Sequence, residues 1–199
     1  MRTLPETILY HGKQLPEGGI LTPKEFLHLG SRAAVDQAFS RLARAGLLIR
    51  VARGLYVAPV VTESETRAPA VAKTVSSLAR KTQEPITSCG AQAASALGLI
   101  QHKPIREVFL TNGRGRTLKL NGAEVEVLHV PKWMLLLNAT LPGAVIRALA
   151  WLGEANVHIA LKTLRARLCP DDWKNLRSVW YLLPSWMVQA IGTEMPRTT

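Results

Sequence analysis

Between residues 31 and 46 the apolar positions Val35, Ala38, Phe39 and Leu42 recur at the i, i+3, i+4, i+7 spacing. That period predicts a helix with one apolar stripe. Ser31 suits its cap, and the helix is expected to run to about Ala45, with Gly46 as the stop. Immediately before it, "LTPKEFLHLG" predicts a shorter helix: Thr22 caps it, Pro23 suits its first position and Gly30 ends it. Two helices joined by a "LGS" turn match a helix-turn-helix. The pattern then changes period. Leu48 to Val51 and Leu55 to Val57 are strand-prone, and Ala52-Arg53-Gly54 between them is short enough for a hairpin turn. With an earlier helix at about residues 4–14, residues 1–60 are expected to form a winged helix-turn-helix.

Residues 58–69, "APVVTESETRAP", have a polar centre between prolines, so 61–68 read as a linker. Residues 69–199 then form the second expected domain, a mixed α/β unit. Pro69 opens a helix over "PAVAKTVSSLARKT", and the small-residue helix "GAQAASALGL" stops near Gly98. "EVFLT", "RTLKL" and "AEVEVLHV" predict a short antiparallel meander over 106–130, with turns at Asn112 to Gly115 and at Asn121-Gly122. From Pro131 onward the pattern is helical, in "PKWMLLLNAT", "PGAVIRALAWLGE", "VHIALKTLRARL" and "PDDWKNLRSVWYLL". The fold class expected is α+β.

Charge turns this outline towards a partner. Twenty-five basic residues against fourteen acidic ones give a net charge of +11 over 199 residues. The excess is present on both sides of residue 60, so it belongs to folded segments and favours a polyanion, nucleic acid before a membrane surface. Cys89 and Cys169 are the only cysteines and lack a C-x-x-C spacing. "MRTLPETILYHGKQ" has no apolar signal core, and the longest uncharged segment, "SVWYLLPSWMVQAIGT", is too short and interrupted to span a membrane. A reduced, cytoplasmic protein without a membrane partner is expected.

Residues 29–59 hold five arginines, Arg32, Arg41, Arg44, Arg50 and Arg53, against one acid, Asp36. The face of the second helix opposite its apolar stripe carries Ala33, Gln37, Ser40 and Arg44, flanked by Asp36 and Arg41. In a helix-turn-helix the second helix enters the major groove. Arg32 and Arg41 have the donors for guanine O6 and N7, and Gln37 can bridge adenine N6 and N7. Ser31, Ser40, Arg44, Arg50 and Arg53 are better placed to hold phosphates. The plainer alternative is that these arginines simply solvate a helix face. "GRGR" at 113–116 leads into no helix and is no phosphate-binding loop; Arg114 and Arg116 are a candidate second nucleic-acid or partner contact.

Catalytic patterns are scarce. The five histidines are scattered without a His-x-x-x-His pair, so neither a metal nor a cofactor is expected. Glu124 and Glu126 share one strand face, with His129 and Lys132 following, which leaves a DNA-tethered metal-dependent nuclease as an alternative. Tryptophans 133, 151, 173, 180 and 186 sit in amphipathic contexts as core or partner-facing anchors.

"LTPKEFLHLGSRAAVDQAFSRLARAGLLIRVARGLYVAP" resembles the winged-helix segment of AbiEi-like antitoxins from bacterial type IV toxin–antitoxin systems. "SCGAQAASALGL" and "VFLTNGRGRTLKLNGAEVEV" are similar to the continuation of that family, so the resemblance covers about residues 20–130. It implies a non-enzymatic, two-domain transcriptional repressor that binds inverted repeats in its own promoter. It also implies an antitoxin that counters a nucleotidyltransferase-like toxin without a stable complex. By analogy the DNA contacts fall on Ser31, Arg32, Gln37 and Arg41 of the helix and on Arg50 and Arg53 of the wing. A regulator unlinked to a toxin, with a ligand-binding or oligomerising C-terminal domain, remains a further alternative.

Overall fold

Short capped helices and two- to seven-residue strands alternate along the chain to give an α+β protein. Residues 2–120 and 122–195 are described in a computed structural model. Asn121, one half of the expected hairpin dipeptide, lies outside them. Two units are distinguished: the described residues of 1–84 with 116–127, and those of 85–115 with 128–199.

In the first unit α1 (Leu4–Gln14) is followed by β1 (Ile20–Leu21), a 3-10 helix (Pro23–Leu29) and α2 (Arg32–Arg44), then by β2 (Ile49–Ala52) and β3 (Leu55–Val57). Local chemistry sets these starts. The Glu6 and Glu25 carboxylates each accept the amide three residues earlier, from Thr3 and Thr22, at 2.8 Å. The Ser31 hydroxyl accepts from the Ala34 amide at 3.3 Å. β3 lies between β1 and β2, antiparallel to both. Phe39, fully buried on α2, has its ring centroid 4.8 Å from Tyr56 and 5.5 Å from Phe26. Ile8, Val35, Leu42 and Leu48 complete that core.

The expected linker at 61–68 instead carries a hairpin of β4 (Val60–Val61) and β5 (Thr66–Arg67). α3 (Val71–Thr82), expected to open the second domain, is bonded within the first unit. Its Ser77 hydroxyl accepts the Ile20 amide at 3.2 Å, and Lys81 donates to the Ile20 carbonyl at 2.6 Å. The approach is backbone-close: a Cβ on Gly18, whose φ is +78°, would stand 2.6 Å from the Thr74 nitrogen. Glu17 ties the segment down by accepting from Lys73, Arg67 and the Ala70 amide. The Lys73 bond above all, with the Ala70 amide next, holds the Glu17 carboxyl down to about 2. β8 (Arg116–Leu120) and β9 (Ala123–His129) pair antiparallel, with Leu118, Leu120, Val125 and Val127 buried, and β8 packs beside β2.

In the second unit β6 (Ile86–Ser88) pairs with β7 (Val108–Thr111). This corrects the expected meander, since β7 and β8 are not neighbours: β7 pairs with β6, a strand with no visible alternation, and β8 pairs with β9. Helices α4 (Gly90–Ala96), α5 (Leu141–Leu152), α6 (Val157–Arg165), α7 (Pro170–Ser178) and α8 (Ser185–Glu194) enclose the core. The small residues of α4 serve a close crossing, since a Cβ on Gly90 would lie 2.4 Å from the Arg147 carbonyl oxygen. Arg147 itself is buried, which pushes its guanidinium down from the usual range. It donates to the Asn138 carbonyl at 2.7 Å, closing a turn in which Leu137 and Asn138 both have positive φ. "PKWMLLLNAT" is therefore a 3-10 turn (Lys132–Leu135) and this tight turn rather than an α-helix. Trp173 is buried in the helical core, whereas Trp151 is half exposed. Among the described residues no single helix is long and apolar enough to cross a membrane.

Candidate nucleic-acid interface

The amphipathic period of α2 decides what it shows to solvent. With Val35, Ala38, Phe39 and Leu42 buried, the residues half a turn away are left outside. Asp36, Gln37, Ser40, Arg41 and Arg44 line one shallow depression on that side. A second depression is lined by Ser40, Ala43, Arg44, Arg50 and Tyr56, so Ser40 and Arg44 belong to both. Arg50 reaches this position through register. It pairs with Tyr56 across β2 and β3, and cross-strand partners share a sheet face. The Tyr56 face is the one that packs against Phe39 of α2. A register shift between Arg50 and Ala52 marks a bulge just before the Arg53-Gly54 turn, where Gly54 has φ +73°. Arg53 is exposed at that turn and lines neither depression.

The charges are arranged asymmetrically. Arg32 Nε donates to Asp36 Oδ2 at 2.8 Å along the helix. Among the described residues Arg41, Arg44, Arg50 and Arg53 have no carboxylate within ion-pair distance, so these four cations are left uncompensated. α2 carries no acid in its first three residues and places a cation, Arg32, at the first position. A cation at that end opposes the helix dipole, at a cost of about 0.3–1 kcal/mol, whereas an anion there is favoured. Ser31 caps with its oxygen and keeps its hydroxyl proton to donate. The resulting surface is a helix face and an adjoining hairpin that together offer guanidinium, amide and hydroxyl donors.

The other candidates are dispersed. Arg116 donates to Glu84 at 3.0 Å inside the first unit, while Arg114 falls in the second unit and is exposed. Glu124 stands opposite Lys119 in the β8–β9 register and pairs with it at 3.5 Å. Glu126 is half-buried, and His129 Nδ1 is 2.8 Å from the Gly113 carbonyl. Among the described residues no three His, Cys, Asp or Glu side chains are grouped to hold a metal ion.

A family model described as "Family of unknown function (DUF6088)" matches residues 7–174. The chain belongs to the DUF6088 family. No curated protein and no solved structure matches it. The match takes in both depressions of this DUF6088 chain, the whole β2–β3 hairpin and the helices α4 to α6. Two members of the candidate site escaped the sequence pattern: Tyr56, a buried strand residue, and the approach of Arg50 to Arg44 in one depression. Both depend on how β2 and β3 lie against α2, which no local spacing encodes. The Arg32–Asp36 pair, by contrast, is an i, i+4 contact that the helical period alone could have found.

Proposed function

We propose that the first unit is a winged helix and that the chain is a DNA-binding transcriptional repressor. Support comes from the order α1, β1, 3-10 helix, α2, β2, β3 with β3 between the other two strands. The observation that carries the reading is the set of four uncompensated arginines, two on the exposed face of α2 and two on the adjoining hairpin. In this reading α2 lies in the major groove, where Arg32 and Arg41 address guanine and Gln37 adenine. Ser31, Ser40, Arg44, Arg50 and Arg53 hold phosphates and set the docking register. No catalytic step belongs to it.

We further propose that this repressor is the antitoxin of a type IV toxin–antitoxin system, opposing a nucleotidyltransferase-like toxin without forming a stable complex. That role rests on the resemblance of residues 20–130 to AbiEi-like antitoxins. Two measurements test the proposal separately. Mobility shifts on the DNA upstream of its own gene should show a discrete complex that Arg41→Ala with Arg44→Ala abolishes. Co-expression with the product of the neighbouring gene should rescue growth if that product is a toxin, and the same double variant should still rescue from an unrelated promoter. No shift with wild-type protein removes the repressor reading, and no rescue removes the antitoxin one.

A further inference from the structure

Asp36 is the one carboxylate on the exposed face of α2, among Gln37, Ser40, Arg41 and Arg44. On a surface meant for a polyanion it works against attraction, because it repels the phosphates that the arginines draw in. Helix stability does not account for it either. Both side chains of the Arg32–Asp36 pair are largely exposed, 64% and 48%, and exposed ion pairs contribute little. The pair also runs in the weaker direction, with the cation N-terminal to the acid.

The geometry of the contact gives Asp36 a different use. Its Oδ2 takes the Nε hydrogen of Arg32 at 2.8 Å. A guanidinium has five donors in one rigid plane, so a bond at Nε fixes the plane's rotation and leaves Nη1 and Nη2 at the far end. Those end donors are the ones that bridge guanine O6 and N7. Arg32 is the first residue of α2, and N-terminal residues of the second helix are the ones that reach base edges. Resting on the DNA-binding reading above, we propose that Asp36 is a positioning residue that presents Arg32 as a pre-oriented reader of one guanine, lowering overall DNA affinity while raising sequence discrimination.

The test compares the full-length chain with its D36A, D36N and R32K variants. Each is taken through selection from a randomised duplex library. The duplex that wild type selects, and versions with single base pairs exchanged, are then titrated by fluorescence anisotropy. In wild type, exchange of one guanine pair weakens binding by about 5- to 150-fold. D36A binds unselected duplex more tightly than wild type, yet its discrimination at that pair collapses. D36N, whose amide oxygen still accepts from Nε, retains the discrimination. R32K loses it at the same pair, and adding D36A to R32K removes nothing further. The proposal is overturned if D36A discriminates as wild type does, if D36A and R32K affect different base pairs, or if D36N fails as D36A does. Failure of wild type to select any duplex is a separate result, which removes the DNA-binding reading itself.

Discussion

Removing the three phosphate-holding arginines, Arg44, Arg50 and Arg53, one at a time should change the salt dependence of duplex binding in equal steps. Arg44 lies on α2 and Arg50 and Arg53 on the hairpin, and none has a carboxylate partner among the described residues. Each is therefore free to displace a condensed counterion without first giving up an internal ion pair. Three neutralised phosphates correspond to a slope of about −2.7 in log affinity against log salt, hence roughly a 40-fold loss between 50 and 200 mM. Replacing Arg53 by alanine leaves two, a slope of about −1.8 and a loss of about 12-fold over the same range. The assay is anisotropy of one labelled duplex titrated at several salt concentrations, with slopes compared rather than single affinities. Arg32→Ala should alter the slope less than Arg53→Ala, because Arg32 is already compensated by Asp36. A flat wild-type response, or an Arg53→Ala slope equal to that of wild type, would refute this assignment of charges.

Three further outcomes concern the scaffold. Phe39→Ala empties a fully buried site between Tyr56 and Phe26, and should cost about 3–5 kcal/mol in urea unfolding. Gly90→Ala sets a methyl against the Arg147 carbonyl, a backbone group that cannot rotate aside; a loss of about 1–3 kcal/mol is expected in the same measurement. Glu17 is held down to about 2 from an ordinary 4.5, so its contribution is complete above about 4.5 and disappears as pH falls towards 2. Urea midpoints measured from pH 6 to pH 2 should therefore fall less steeply in Glu17→Gln than in wild type, and parallel curves would contradict the Lys73–Glu17–Arg67 arrangement.

Legibility in the sequence followed the range of the interaction. α2 was readable almost to the residue, because its cap, its stripe and its glycine stop all act within one or two turns. The β2–β3 hairpin was readable for the same reason, from two apolar runs around Arg53-Gly54. β6 was hidden: three residues, Ile86 to Ser88, are too few to show a period of two, and their pairing is with β7 more than twenty positions on. The β4–β5 hairpin was equally hidden, since the polar tract between its two-residue strands is also what a linker looks like. α3 was recognisable as a helix, but its attachment to the first unit depends on bonds such as Lys81 to Ile20, 61 residues apart. Within the candidate site, composition and helical phase were enough to select the arginines of α2. The nearness of Arg44 and Arg50 required the sheet to be in place.

The first unit draws its residues from both sides of 85–115, and this bears on its birth at the ribosome. When Glu84 has emerged, β2 still lacks β8, the strand it packs beside. Synthesis at about 5–20 residues per second delivers residues 116–127 roughly two to nine seconds later. During that interval the part of β2 that β8 packs beside lacks this neighbour. Arg50 and Arg53 of that hairpin are already in place by then, and their like charge opposes the approach of a second copy of the same strand.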